Sequence, residues 1–312
     1  MSLKILTTRQ EIWNYVNSLR EQTPAVRIGF VPTMGALHEG HASLIRSSAA
    51  CCEVTILSLF VNPLQFGPHE DFDRYPKAFL SDCQLAKASG ACAVFCPSVS
   101  EMYPEGFSTK ISLGPLTELY CGKFRPGHFD GVCTVVLLLL NLVRPDFLFM
   151  GEKDFQQVFL IKKMLQDLSI GISLVVVPTL REKDGLAMSS RNSYLSQEGR
   201  HFATVIPRAL ASAAGAFLQG ERRSGLLLKY AKDVLEDFDA REKGVIQVQY
   251  LSLFSTVTLQ PIDPMIETVG QMAIAAILCV GGKPTRLIDT IVMSDDPEVQ
   301  SRLQDLCKCD AI

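Results

Sequence analysis

Two histidines three residues apart, with a glycine between them, stand in the stretch Pro32-Thr33-Met34-Gly35-Ala36-Leu37-His38-Glu39-Gly40-His41. The stretch follows an apolar run (Val26, Ile28, Phe30, Val31) and leads into a helical pattern, so it reads as strand, tight turn and helix start. That spacing puts both imidazoles on one face of the first helical turn, and Gly40 leaves room for a flat ligand. Unpaired backbone N–H groups at a helix start, together with the helix dipole, make an anion site. Gly35 and Gly40 have the glycine spacing of a P-loop, but His41-Ala42 stands where Lys-Ser/Thr would hold phosphate and Mg²⁺. The stretch is therefore not a P-loop, and the competing reading is a helix N-terminus whose histidines only cap and solvate.

Other polar groups recur where apolar runs stop. The β-branched run Val54 to Val61 ends in Asn62-Pro63-Leu64-Gln65. Ligands of open parallel sheets sit beyond strand carboxyl ends, so Asn62 and Gln65 occupy a functional position, with amides suited to a hydroxyl or carboxylate. Turn capping is the other reading of Asn62. Arg125 and His128 form either a polar cluster at a helix mouth or a structural pair. A strand at 146–150 runs into Gly151-Glu152-Lys153-Asp154, a second strand-to-helix anion site, with Gln157 one helical turn beyond Lys153 on the same face. A lysine in a first helical turn opposes the dipole and needs a reason, unless it is merely exposed near the cap. Asp184-Gly185-Leu186-Ala187-Met188-Ser189-Ser190-Arg191-Asn192 is a hydroxyl-rich, basic loop. Together these groups supply enough donors and positive charge for a triphosphate. No base for water activation and no Ser-His-Asp order is apparent. The chemistry implied is nucleotidyl transfer, carried by positioning and charge neutralisation.

The elements that must position these groups predict an α/β fold: a Rossmann-like parallel sheet with helices on both faces over residues 1–179, then a smaller α+β lid domain over 180–312. In the first domain, strands are expected at 26–31, 54–61, 92–96, 146–150 and 172–177. A helix over 8–20, capped by Thr8, is expected to bury Ile12, Trp13, Val16 and Leu19, and further helices cover 41–51 and 129–143. The irregular segment 97–128 is long enough to be functional or an interface. In the second domain, helical patterns at 196–219 and 222–243 alternate with strands at 245–254, 271–280 and 285–293, and the polar tail 294–312 adds only a short surface helix. Gly185 supplies a hinge for the lid.

The chain has 312 residues, 47% of them hydrophobic, with a formal charge of -3, which suits a globular pair of domains and gives no basic footprint. Nucleic acid and anionic membrane are thereby set aside as main partners. The N-terminus lacks the pattern of a secretory signal and no apolar run reaches a membrane span, so a cytoplasmic protein is expected. Of ten cysteines, Cys92, Cys96, Cys133 and Cys279 lie in apolar runs as small hydrophobes. Cys92-x3-Cys96 and Cys307-Lys308-Cys309 lack partners at zinc-site spacing, so neither receives a metal or redox role.

A His-x-Gly-His turn after the first strand of an α/β domain resembles the nucleotidyl-transferring superfamily that includes class I aminoacyl-tRNA synthetases. Within it, residues 32–41, 61–67, 125–132, 151–157 and 184–192 resemble, in order and spacing, the motifs of the pantothenate synthetase family. The resemblance runs from about residue 3 to 293. It implies that ATP and pantoate form an enzyme-bound pantoyl adenylate and pyrophosphate, and that β-alanine then attacks the acyl carbon, releasing pantothenate and AMP. It implies Mg²⁺ with the phosphates and a homodimer. By position it assigns ATP contacts to Met34, Gly35, Ala36, Leu37, His38, Glu39, Gly40 and His41, to Gly151, Glu152, Lys153 and Asp154, to the Leu180 backbone, and to Met188, Ser189, Ser190 and Arg191. His41 is the family's proton donor, and His38, Lys153 and Arg191 complete the catalytic set. Gln65 and Gln157 hold pantoate, and Gln65 also meets β-alanine. The Met-Ser-Ser-Arg segment is the counterpart of the synthetase KMSKS loop. No metal ligands from the protein are assigned. His69 and the tail past 293 depart from the family pattern without touching these positions. The competing enzyme reading is an adenylyltransferase acting on a phosphorylated cofactor precursor, against which the neutral Gln65/Gln157 pair argues.

Overall fold

The computed structural model describes residues 3–68, 70–280 and 284–308, so His69 and Cys309 lie outside the described residues. In chain order the elements are β1 (Lys4–Leu6), α1 (Arg9–Gln22), β2 (Ile28–Thr33), α2 (Glu39–Cys51), β3 (Val54–Leu59), α3 (Phe79–Ala88), β4 (Ala93–Phe95), α4 (Val99–Met102), α5 (Cys121–Phe124), α6 (His128–Val143), β5 (Phe147–Gly151), α7 (Phe155–Asp167) and β6 (Ser173–Val177). They continue as α8 (Gln197–Ala203), α9 (Val205–Leu218), α10 (Ser224–Arg241), β7 (Ile246–Ser255), β8 (Val269–Leu278), β9 (Thr285–Ser294) and α11 (Pro297–Lys308). Two compact units emerge: residues 1–152 with 156–178, and residues 179–312 with 153–155.

The first unit holds a parallel sheet of six strands in the order β1-β4-β3-β2-β5-β6. β3 is buried along its whole length, as a Val/Ile/Leu run covered on both faces must be. α2 covers β2, β3 and β5, while α6 packs on α1 and β2. β2 pairs with β3 on one side and β5 on the other, so the winding reverses there. The crevice beyond the carboxyl end of β2 is the topological switch point, where such sheets bind ligands.

Three details of this unit differ from the sequence reading. The edge strand β1 was not expected, because three residues carry no readable alternation. α1 begins after a Thr8/Glu11 capping box as expected, but its buried stripe is Ile12 and Val16, four apart, which turns Trp13 outward at 48% exposure. Of the cysteines expected to be buried, Cys133 is, and burial pushes its thiol up to about 12. Cys92 and Cys96 are only half-buried; Cys279, in the second unit, falls just past the end of β8 and is exposed.

The second unit is an antiparallel sheet, β7-β8-β9, with helices α8 to α11. The helical pattern at 196–219 is two helices, broken at Thr204. Pro207 explains the break: it has no N–H for the carbonyl of Ala203 and is tolerated only in a first helical turn. The tail is also more than surface. α11 packs on α9 and β9, and buries Leu303 and Leu306 in the unit's core. Leu306→Ala should therefore destabilise the protein by roughly 2–4 kcal/mol, the range for truncating a buried leucine. Thermal and denaturant unfolding of the full chain will measure it, and an unchanged midpoint would place α11 outside the folded core.

Candidate active site

The turn after β2 is built from backbone N–H groups that find side-chain acceptors. Gly35 has φ +90° and Ala36 φ +50°, a left-handed pair that costs a non-glycine residue about 1–3 kcal/mol. Their geometry brings the N–H groups of Ala36 and Leu37 to the two carboxylate oxygens of Asp82, at 2.9 and 2.7 Å. Asp82 lies in the first turn of α3 and is 3% exposed. Burial raises its pKa against the opposing pull of those two hydrogen bonds. The sequence reading missed Asp82, since one acid in a helix pattern gives no sign of a partner far back along the chain. A carboxylate of the chain itself thus takes the two N–H groups that precede the start of α2. Beside the turn, a cavity of about 430 Å³ opens at the carboxyl ends of β2, β3 and β4, with Met34, Gly35, Phe60 and Asp82 in its wall.

His38 is the N-cap of α2, and its Nδ1 accepts the N–H of Gly40 at 3.2 Å. His41 Nδ1 in turn accepts the N–H of His38 at 3.2 Å, closing a reciprocal capping box. The ring centroids are 4.0 Å apart. With each Nδ1 an acceptor, the neutral rings carry their hydrogen on Nε2, the atom able to donate. Capping and chemistry are thus not alternatives here, because the cap fixes which nitrogen donates. Glu39 pairs with Arg46, two turns further along the same helix.

Gln65 closes a short 3-10 turn, Pro63–Gln65, and is buried. Its amide accepts from Asn62 Nδ2 at 3.0 Å and donates to Met34 Sδ at 3.2 Å. Asn62 does cap this turn, through Leu64 N–H, and also accepts from Tyr103 Oη and donates to the Gly131 carbonyl. Its amide is therefore committed to holding Gln65. Arg125 and His128 both reach the Gln65 carbonyl, at 3.3 and 2.7 Å. Arg125 also forks onto Glu70, whose pKa is raised by burial but held below its usual value by the guanidinium. The two readings of that cluster merge: it is an ion pair, and it braces Gln65. Gly131 completes the arrangement, since a Cβ there would lie 2.2 Å from the Leu64 carbonyl oxygen. Only a glycine lets α6 come this close.

On α7, Gln156 is the buried amide, bonded to Cys121 N–H and the Leu119 carbonyl, while Gln157 is half-buried with no side-chain hydrogen bond among the described residues. Lys153 sits in a 3-10 turn, Glu152–Asp154, just after Gly151 and before α7 begins, so it precedes the helix instead of occupying its first turn. It contacts Asp154 at 3.7 Å.

In the second unit, the 180–188 segment is a narrow loop. Leu180 accepts the Met188 N–H through its carbonyl at 3.0 Å, and Glu182 N–H reaches the Leu186 carbonyl. Ser189 caps a 3-10 turn, Ser190–Tyr194, by accepting the Arg191 N–H. Arg181 holds the Gly185 carbonyl and forks onto Asp289 of β9, whose side chain is 1% exposed. Arg200 ties Glu182 and Asp184 at 2.6 and 2.8 Å. The expected hinge at Gly185 is thus clamped to its own unit.

Paired imidazoles capping the helix that leaves a switch-point strand mark the HxGH class of nucleotidyl-transferring α/β enzymes, and the first unit has that architecture. The profile of the family described as Pantoate-beta-alanine ligase matches residues 4–292. The pantothenate synthetase of Caldicellulosiruptor saccharolyticus is 49% identical over 266 residues, 85% of this chain and 91% of that protein. The crystal structure of the Thermus thermophilus pantothenate synthetase is similar with a TM-score of 0.82 and 39% identity, covering 93% of this chain and 99% of that one. The Francisella tularensis pantoate-beta-alanine ligase, crystallised with beta-gamma ATP and beta-alanine, has a TM-score of 0.72 and 32% identity over 94% of this chain and 98% of that one. The chain belongs to the pantoate–β-alanine ligase family. It is a ligase that condenses pantoate with β-alanine, which sets aside the adenylyltransferase alternative. α11 lies past the end of the family match.

The packing of α6 on the Gln65 turn has a direct consequence. Gly131→Ala should cost about 1–3 kcal/mol of stability by overpacking, as α6 is pushed off the Leu64–Gln65 backbone. Calorimetric unfolding of the variant will measure it, and an unchanged melting temperature would show that the contact tolerates a Cβ.

Proposed function

We propose that the reaction runs in two steps. A pantoate carboxylate oxygen attacks the α-phosphorus of ATP, the bond to the bridging β-oxygen breaks, and pyrophosphate leaves pantoyl adenylate behind. The β-alanine amine then attacks the acyl carbon, the acyl–oxygen bond breaks, AMP leaves, and the amine loses a proton. The observation that carries this reading is the pair of imidazoles at the switch point with Nδ1 turned to the backbone. Nε2–H of His41, assisted by His38, donates toward the phosphates and stabilises the leaving charge. In this reading Met34 to His41, Gly151, Glu152, Lys153, Asp154, the Leu180 backbone, Met188, Ser189, Ser190 and Arg191 are the residues assigned to ATP. Gln65 and Gln157 hold pantoate, and Gln65 also receives β-alanine. Neutral amides suit a hydroxy acid whose carboxylate must stay nucleophilic, since a cation placed on it would blunt the attack.

Mg²⁺ enters this reading as a companion of the nucleotide. Among the described residues no three His, Cys, Asp or Glu side chains gather as a metal-ligand set, and no step is routed through the metal. A cytoplasmic homodimer is the state we attach to the reading, the dimer being what the resemblance implies. No helix among the described residues is long and apolar enough to cross a membrane.

With pantoate present and β-alanine absent, the enzyme should exchange labelled pyrophosphate into ATP. Exchange that strictly requires β-alanine would replace the two-step route with a concerted one. Lys153→Ala should slow that exchange by an amount equivalent to roughly 3–4 kcal/mol of transition-state stabilisation, the range for removing one preorganised charge contact. A near-normal rate in this variant would remove Lys153 from the phosphate site.

A further inference from the structure

We infer that Asp82 is a positioning residue for adenylate formation: by accepting the N–H groups of Ala36 and Leu37 it sets the turn that aims His38 and His41. The inference rests on the reading that these imidazoles face the nucleotide. Three observations carry it. Asp82 reaches the turn from a separate helix, α3, and grips both N–H groups with its two oxygens at 2.9 and 2.7 Å. Among the described residues it has no ion-pair partner, although it is buried. A buried carboxylate without a counter-charge is costly, so its place needs a reason that packing alone does not supply. Finally, the turn it grips includes Ala36 at φ +50°, a conformation that a residue with a Cβ leaves when nothing over-determines it. The next residues are His38 and His41, which cap each other through backbone N–H groups. A rotation of the Ala36–Leu37 peptide moves the His38 N–H, and with it the Nδ1 of His41. The amide of Asp82→Asn keeps the size of the side chain but sets an NH₂ donor against one of the two N–H groups, so that one bond turns repulsive.

The test uses the full chain with Asp82→Asn, and pyrophosphate exchange with pantoate as the readout. Exchange should fall about 100-fold, the scale of a 1 Å misplacement of a reacting group, while the pantoate KM stays within about twofold. Imidazole ¹⁵N spectra of the variant should show His41 losing its fixed Nε2–H form. Ala36→Gly added to Asp82→Asn should recover about tenfold of the loss, because glycine takes a positive φ without strain. Gly35→Ala perturbs the same contact from the turn side, since its Cβ would stand 3.1 Å from Asp82 Oδ2, and it keeps the test alive should Asp82→Asn fail to fold. It should give the same split between exchange rate and KM. Wild-type exchange in Asp82→Asn, with or without a lowered melting temperature, overturns the inference. His41→Ala run in parallel separates the two levels. If His41→Ala is inactive and Asp82→Asn is not, only the role of Asp82 fails. If His41→Ala exchanges at the wild-type rate, the reading of the site fails.

Discussion

A chain leaving the end of a buried strand must find acceptors for its N–H groups, and at the end of β2 side chains supply them in sequence. Thr33 Oγ1 takes the N–H of Gly35, Asp82 those of Ala36 and Leu37, His41 that of His38, and His38 that of Gly40. This turn has no neighbouring strand to pair with, so without those acceptors its buried N–H groups would each forfeit a hydrogen bond. The requirement explains why the imidazoles face inward at Nδ1. It also explains why the turn can hold a left-handed alanine. The parallel sheet fixes where the turn starts, and this chain of acceptors fixes where it goes.

The sheet was legible because β3 and its neighbours are continuous apolar runs, and because polar residues appear wherever those runs stop. The motifs at the strand ends were legible for the same reason. What escaped was of two kinds. Short or one-sided elements carry too little pattern: β1 has three residues, and the buried stripe of α1 uses only Ile12 and Val16, so Trp13 could not be placed by type alone. Contacts distant in sequence carry none: Asp82 to Ala36, Arg125 to Glu70 and Arg181 to Asp289 are pairings that only a folded backbone discloses. The tail was misjudged for a third reason. Its leucines are sparse among charges, and a polar helix with one narrow apolar edge looks like surface until α9 is seen to receive it.

Around Gln65, polar groups are committed to one another. Asn62 divides its amide between the turn, Tyr103 and the Gly131 carbonyl, and Arg125 gives its charge to Glu70 while touching the Gln65 carbonyl. The cation nearest to Gln65 is thereby neutralised within the first unit. The brace therefore adds rigidity without adding positive charge. The second unit follows a similar rule, with Arg181 and Arg200 consumed by Asp289, Glu182 and Asp184.

The reciprocal histidine cap has a further consequence, and it is entropic. Ordering a flexible side chain on binding costs roughly 0.5–1.5 kcal/mol, and a loop costs more. Here the rings of His38 and His41 are already fixed by bonds that involve no ligand, 4.0 Å apart and tied to the first turn of α2. Whatever binds beside them meets dipoles that need not reorient as charge moves. The same bonds leave the turn few alternative conformations in which to rest between turnovers.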